Sequence, residues 1–65
     1  MGLGKRIRIA RKKLRYTLRE LADLADITNG ALSLIERDYR NPSDETLSKL
    51  AKALKIPFNE LKAAD

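Results

Sequence analysis

The chain has 65 residues, and its composition excludes several classes of protein. A domain of this length buries only about 60% of the surface that its unfolded chain exposes, which leaves little room for the enclosed pocket of an enzyme. The sequence has no Cys and no His, so it predicts no disulfide, no zinc site of the usual kind and no cofactor. No apolar run is long enough for a membrane span or a signal peptide, so we expect a cytoplasmic protein.

Positive charge is concentrated at one end of the chain. Lys and Arg total 14 against 9 Asp and Glu, which gives a net charge of +5. Residues 1–19 carry eight basic and no acidic side chains, whereas residues 20–65 sum to −3. This asymmetry is typical of a surface that faces a polyanion such as nucleic acid, although a basic first helix can also be an ordinary solvated face.

The first third of the chain predicts two helices. A first helix is expected to have one apolar face, because apolar residues recur there at steps of three and four: Leu3, Ile7, Ala10 and Leu14. Thr17 and Glu20 then have the spacing of a capping box, with Tyr16 and Leu21 as the flanking hydrophobic staple. The second helix is therefore expected to begin at the capping box and to end near residue 25.

A third helix is expected from about Asn29 to Arg37, with Thr28 as its cap and residues 26–28 as the connection. Its inward positions are Leu32 and Ile35. The dipeptide Asn29-Gly30 also occurs in tight β-hairpins, but the flanking residues have helical spacing and the strands that a hairpin requires are missing.

Two further helices complete the pattern. Pro42 ends the preceding loop and Ser43 can cap a fourth helix, which buries Leu47, Leu50, Ala51 and Leu54. After Pro57, Phe58 and Leu61 are expected to pack a short fifth helix against the core. Since no segment alternates with period two, the sequence predicts one all-α domain over residues 1–65, a compact unit of five helices.

Helices two and three have the residue types of a helix-turn-helix. Ala22 is small where the two helices cross, and the apolar positions around it fix the crossing angle. Together with residues 4–8, 17–22, 32–37, 41–43 and 50–54, this order of motifs resembles the Cro/C1-type helix-turn-helix family, whose fold is lambda-repressor-like. The resemblance covers residues 4–62.

The resemblance implies a sequence-specific transcriptional regulator that binds double-stranded operator DNA as a homodimer and is associated with the nucleoid. Base contacts are then expected from Asn29, Gly30, Ala31, Ser33 and Leu34 on the third helix. Phosphate contacts are expected from Thr17, Leu18, Arg19, Thr28, Tyr39, Arg40, Asn41 and Ser43. An ion pair between Arg11 and Glu36 is expected to be structural. Asn29 has an alternative role as a helix cap.

The sequence departs from the family pattern at several turns and on the expected DNA face. Relatives commonly have glycine at the positions of Arg15, Asp26 and Asp38, so a left-handed backbone there would be strained. Leu18 and Leu34 replace residues that are usually polar. With Leu24 they suggest an alternative function, a protein-interaction module that uses these three leucines as an apolar patch.

Three further expectations concern chemistry and assembly. No catalytic motif occurs, so the chain is not expected to be an enzyme, and no metal site or small-molecule site is evident. The basic residues Lys5, Arg6, Lys12 and Lys13 are expected to attract DNA at a distance rather than to contact it. Dimers are expected to form around Phe58, Leu61 and the loop before Pro57.

Overall fold

A computed structural model describes residues 2–63 as five α-helices, and no strand occurs among these residues. The helices are α1 (Leu3–Lys13), α2 (Leu18–Leu24), α3 (Asn29–Glu36), α4 (Asp44–Leu54) and α5 (Phe58–Lys62). The expected all-α fold of five helices is therefore confirmed, and α2 and α3 end within one residue of their predicted ends. Within the described range every helix is too short and too polar to reach across a bilayer.

Side-chain caps fix where three of the helices begin. The Thr17 hydroxyl accepts a hydrogen bond from the Glu20 amide at 3.0 Å, and the Glu20 carboxylate accepts one from the Thr17 amide at 2.7 Å. This is the predicted capping box. Thr28 and Ser43 cap α3 and α4 in the same way through a single bond each. These caps satisfy amides that have no partner inside the helix.

The core lies where α1, α2, α3 and α4 meet, with α5 closing one end. Its buried apolar residues come from all five helices: Ile7, Leu21, Ala22, Ala25, Leu32, Ile35, Leu47, Leu50, Ala51, Leu54 and Leu61. Leu3 and Ala10 are half-buried against this core. Leu14 was expected on the same face but is 37% exposed, because α1 ends at Lys13 and the chain turns away there.

Four helices end in the same left-handed turn, and none of the four turns uses glycine. Arg15, Asp26, Asp38 and Lys55 have φ between 57° and 62°. In each case the amide of the next residue bonds back to the carbonyl five residues earlier, as Ile27 does to Ala22 at 3.0 Å. These are Schellman motifs. The first three positions match the sequence expectation, whereas the left-handed turn at Lys55 was missed.

The N-terminus of α1 is held against the C-terminal end of α3. The Gly4 amide donates a 3.0 Å hydrogen bond to the Asp38 carboxylate, which caps α1 from 34 residues away. Gly4 is buried, and a Cβ at this position would overlap the carbonyl oxygen of Ile35 and lie 2.7 Å from that of Glu36. Only glycine therefore lets α1 approach α3 this closely.

Candidate nucleic-acid interface

The outer face of α3 is the exposed half of a helix-turn-helix. Ala22 of α2 and Ala25 just after its end are fully buried, so α2 and α3 cross closely as the sequence predicted. On the opposite side of α3, Asn29, Gly30 and Leu34 are exposed and Ala31 and Ser33 are half-buried. The structure thus brings all five predicted base-contacting residues into one helix and leaves three of them on its surface.

Asn29 is the first residue of α3 and not its cap. The cap is Thr28, whose hydroxyl accepts the Ala31 amide at 3.0 Å. The alternative role for Asn29 as a helix cap is therefore wrong, and its carboxamide is not needed to complete the helix. Gly30 follows it with open space around the position of a Cβ, so packing does not require glycine there.

A shallow recess of about 210 Å³ lies beside this face and is lined by α1, α2 and α3. Its lining includes Leu18, Ser33, Arg11 and Glu36. Two arginines that were not among the predicted site residues, Arg8 and Arg37, complete it. Arg37 follows Ser33 by four residues, a spacing that places both on one side of a helix. This spacing could have indicated Arg37 as a site residue from the sequence, whereas only its positive charge pointed to Arg8.

Arg11 and Glu36 form the expected ion pair at the back of the recess. The Nε and Nη2 groups of Arg11 donate to the two carboxylate oxygens of Glu36 at 2.8 Å and 3.2 Å. A third bond runs from Nη1 to the carbonyl of Tyr16 at 2.9 Å. The side chains are only 12% and 6% exposed, so they are held within the protein and join α1 to the end of α3 and the start of α2.

The predicted phosphate-contacting residues lie at two places flanking α3. Thr17, Leu18 and Arg19 form the N-terminal end of α2, with Thr28 at the N-terminal end of α3. The second group lies in the loop between α3 and α4 and comprises Tyr39, Arg40, Asn41 and Ser43, all of them exposed. The guanidinium group of Arg37 lies over the Tyr39 ring at 5.7 Å, which links α3 to this loop.

The capping threonines keep a free donor. A hydroxyl has one donor hydrogen and two acceptor lone pairs, and capping uses only an acceptor. Thr17 and Thr28 can therefore cap their helices and still donate to an external oxygen. The Ser43 hydroxyl lies 3.1 Å from that of Thr46 and can use its hydrogen there. The two threonines are the better placed donors.

The three leucines proposed as an apolar patch do not share one face. Leu24 is 56% exposed and Leu34 is 38% exposed, but Leu18 is half-buried and packs against the core. Leu24 follows Leu18 by six positions, which places them about 120° apart around α2. This geometry does not favour the alternative function of an interaction module built on these residues.

The fold, the tight α2–α3 crossing and the exposed face of α3 define a helix-turn-helix domain. A sequence profile described as helix-turn-helix matches residues 7–61. The chain belongs to the Cro/C1-type helix-turn-helix family, which is a class of transcription regulators and not of enzymes.

Two solved structures illustrate the likeness in three dimensions. One is the biofilm master regulator SinR in complex with DNA, with a TM-score of 0.88 and 37% identity over 94% of this chain and 98% of that one. The other is the P22 c2 repressor bound to a synthetic operator, with a TM-score of 0.92 and 35% identity over 100% of this chain and 98% of that one.

Curated relatives are longer than this chain. The transcriptional regulator ImmR of Bacillus subtilis is 43% identical over 65 residues, which cover 100% of this chain and 51% of ImmR. The immunity repressor of Bacillus phage phi105 is 43% identical over 61 residues, which cover 94% of this chain and 42% of the repressor. The chain therefore spans about half the length of these relatives.

Proposed function

We propose that residues 2–63 are the DNA-binding domain of a transcriptional repressor, with α3 in the major groove of a double-stranded operator. The observation that carries this proposal is the exposed face of α3, on which Asn29 is free of any capping role. DNA binding would keep the protein at the nucleoid in the cytoplasm. The relatives support this function, because ImmR is a named transcriptional regulator and the P22 c2 repressor is bound to an operator.

Asn29 is the proposed main reader of base sequence. A carboxamide can donate to and accept from one adenine edge at the same time, and such a pair discriminates against a wrong base by about 1–3 kcal/mol. Gly30 lets the backbone approach the bases, and Ala31 and Leu34 supply apolar contact for a thymine methyl group. Ser33 lies deeper, beside the recess, and reaches a base or a phosphate from there.

The proposed phosphate contacts set the position of α3 in the groove. Thr17, Leu18 and Arg19 offer the amides, hydroxyl and guanidinium of the α2 N-terminus to one stretch of backbone. Thr28 adds its hydroxyl at the start of α3. Tyr39, Arg40, Asn41 and Ser43 contact the opposite side of the groove from the α3–α4 loop. We add Arg8 and Arg37 to this set, because they line the recess beside α3 together with Leu18 and Ser33.

A two-fold dimer on a palindromic operator is part of the proposal. One domain of this size makes few base contacts, and dimers of this motif place their half-sites about 34 Å apart. Leu61 is fully buried inside its own domain, so its expected part in the dimer contact is wrong. Phe58 is half-buried and exposed Pro57 precedes it, which leaves the α4–α5 turn as the proposed contact.

The test is selection of bound sequences from a random double-stranded DNA pool, with the 65-residue chain, Asn29→Ala and Asn59→Ala in parallel. Asn59 is an exposed asparagine on α5, so its variant makes the same chemical change away from α3. We expect a palindromic motif for the parent. Because Asn59 adjoins the proposed dimer contact, its variant is compared within one half-site, where we expect unchanged base preferences. For Asn29→Ala we expect about tenfold weaker binding, with relaxed preference at one position of each half-site.

Sequence-blind binding that weakens steeply with salt would contradict the proposal, because it would show attraction by charge alone. An unchanged motif with Asn29→Ala would show that Asn29 does not recognise a base. A non-palindromic motif of one half-site would support base reading by α3 and overturn the dimer.

A further inference from the structure

A groove lies on the side of α1 that faces away from α3. It has a volume of about 520 Å³ and runs beside α1 from Gly2 to Leu14, a length of about 18 Å at 1.5 Å per residue. Its apolar lining consists of Ile9, Ala10, Leu14, Leu54 and Ile56. Ile9 is 50% exposed in this groove, so an apolar surface is left open to solvent.

The groove is separate from the proposed DNA interface. Arg6 and Lys13 line the groove, whereas Arg8 and Arg11 line the recess beside α3. At 100° per residue the first pair lies about 140° to 160° around α1 from the second pair. Part of the positive charge in residues 1–19 is therefore directed away from the surface that α3 would present to DNA.

Charge surrounds the apolar lining on this side. Three basic residues contribute to the groove, Lys5, Arg6 and Lys13, against one acidic residue, Glu60. A partner that fits must bury apolar side chains and also bring negative charge. A helix of about 12 residues has the length of the groove, and its apolar stripe can be flanked by carboxylates.

We propose that this groove is a docking site for an acidic amphipathic helix of a partner protein. The partner inserts apolar residues at i, i+3, i+4 and i+7 spacing against Ile9, Leu14 and Ile56. Its carboxylates pair with Lys5, Arg6 and Lys13 on the rim.

Two other occupants fit the groove less well. A second copy docked face to face would bring two net positive charges against two, which is repulsive. A DNA backbone would neutralise the basic rim, but phosphates and sugars offer little apolar surface to cover Ile9 and Leu14. An acidic helix satisfies both the charge and the apolar lining.

The test uses a synthetic peptide of about 14 residues, with leucines at i, i+3, i+4 and i+7 and glutamates on both sides of that stripe. Binding to the 65-residue chain is followed by fluorescence anisotropy, and the site is mapped by backbone amide shifts in ¹⁵N-labelled protein. We expect a Kd below about 100 µM, with shifts centred on Ile9, Leu14 and Ile56. A second peptide with lysines in place of the glutamates is expected to bind at least about tenfold more weakly.

Matched variants separate a specific groove from general attraction by charge. Lys12 and Lys13 are adjacent and exposed in the last turn of α1, but only Lys13 lines the groove. We expect Lys13→Glu to weaken peptide binding at least about tenfold and Lys12→Glu by less than about threefold. Ile9→Gln is expected to act like Lys13→Glu, whereas Leu24→Gln, at an equally exposed position on α2, leaves binding unchanged.

Equal loss with Lys12→Glu and Lys13→Glu would overturn the proposal, as would tight binding of the lysine peptide. Concentration-dependent shifts of Ile9 and Leu14 without peptide would assign the groove to a second copy instead, because these two residues belong to the α1 side of the groove and not to the α4–α5 turn of the proposed dimer contact. The same shifts on addition of DNA would assign it to nucleic acid. Circular dichroism of each variant verifies that the helices are intact, and the DNA selection above remains an independent readout.

Discussion

The Arg11 guanidinium contacts both carboxylate oxygens of Glu36 and the backbone carbonyl of Tyr16. Three of its N–H groups are thereby used, and each partner lies on a different part of the chain. This one side chain fixes α1 relative to the end of α3 and the start of α2. The residue is thus a structural part of the proposed DNA interface, although it lies behind the face of α3.

Arg11→Met should lower the free energy of unfolding by about 3 kcal/mol, because it leaves a buried Glu36 carboxylate without its partner. Urea denaturation measures the change. The double variant Arg11→Met/Glu36→Leu should be more stable than Arg11→Met alone, since it removes the unpaired charge. The exposed pair between Lys62 and Asp44 is the control, and Lys62→Gln should cost less than about 1 kcal/mol. Similar losses for both single variants would contradict the structural role.

Two glycines should respond to alanine in opposite directions. Gly4→Ala places a Cβ against backbone carbonyls of α3 that cannot move aside, and we expect a loss of at least about 2 kcal/mol. Gly30→Ala adds its Cβ in open space on a helix and should raise stability by about 1 kcal/mol. Thermal unfolding of both variants tests this. A stable Gly4→Ala would mean that α1 crosses α3 less closely than described.

Lys55→Gly should stabilise the protein by about 1 kcal/mol, because glycine adopts a φ of 61° without the strain that a Cβ imposes. Lys52→Gly is the matched control within α4, and there the same exchange should cost about 1 kcal/mol. Both stabilities come from urea denaturation. A loss of similar size at both positions would be incompatible with a left-handed Lys55.

Asp26 and Asp38 share the left-handed backbone but should differ on replacement by glycine. Asp26 has only a weak partner, Lys49 at 3.7 Å, and its side chain is 90% exposed, so Asp26→Gly should be stabilising. Asp38→Gly also removes the bond to the Gly4 amide and a negative charge at the N-terminus of α1. We expect Asp38→Gly to be less stable than Asp26→Gly by about 1 kcal/mol. Equal effects in thermal unfolding would remove the capping role of Asp38.

Local features of the fold could be predicted because their signals lie within a few residues of each other. The capping box at Thr17 and Glu20 needs only a spacing of three, and the buried positions of α3 and α4 follow from helical periodicity. The pairing of Arg11 with Glu36 spans 25 residues, so it came from the family resemblance rather than from the residues alone.

The features that were missed depend on contacts between distant parts of the chain. Nothing near Gly4 indicates that a carbonyl of α3 lies against it, and nothing near Asp38 indicates that its carboxylate caps α1. At position 55 no glycine in this chain indicates a left-handed turn, although the Lys55 backbone is left-handed. The exposure of Leu14 follows from the end of α1 one residue earlier, which periodicity does not determine. In the candidate site, Arg8 and Arg37 become neighbours only once α1 packs on α3.

The contacts of α1 imply that α2 and α3 cannot be transferred to another protein on their own with their orientation preserved. Gly4 and Arg11 hold α3 at its C-terminal end, yet neither residue belongs to the motif itself. If α2 and α3 were grafted onto a foreign scaffold, α3 would keep its proposed base-contacting residues. It would lose the contacts with α1 that fix its orientation. Transfer of specificity to another protein would therefore require α1 to be transplanted with them.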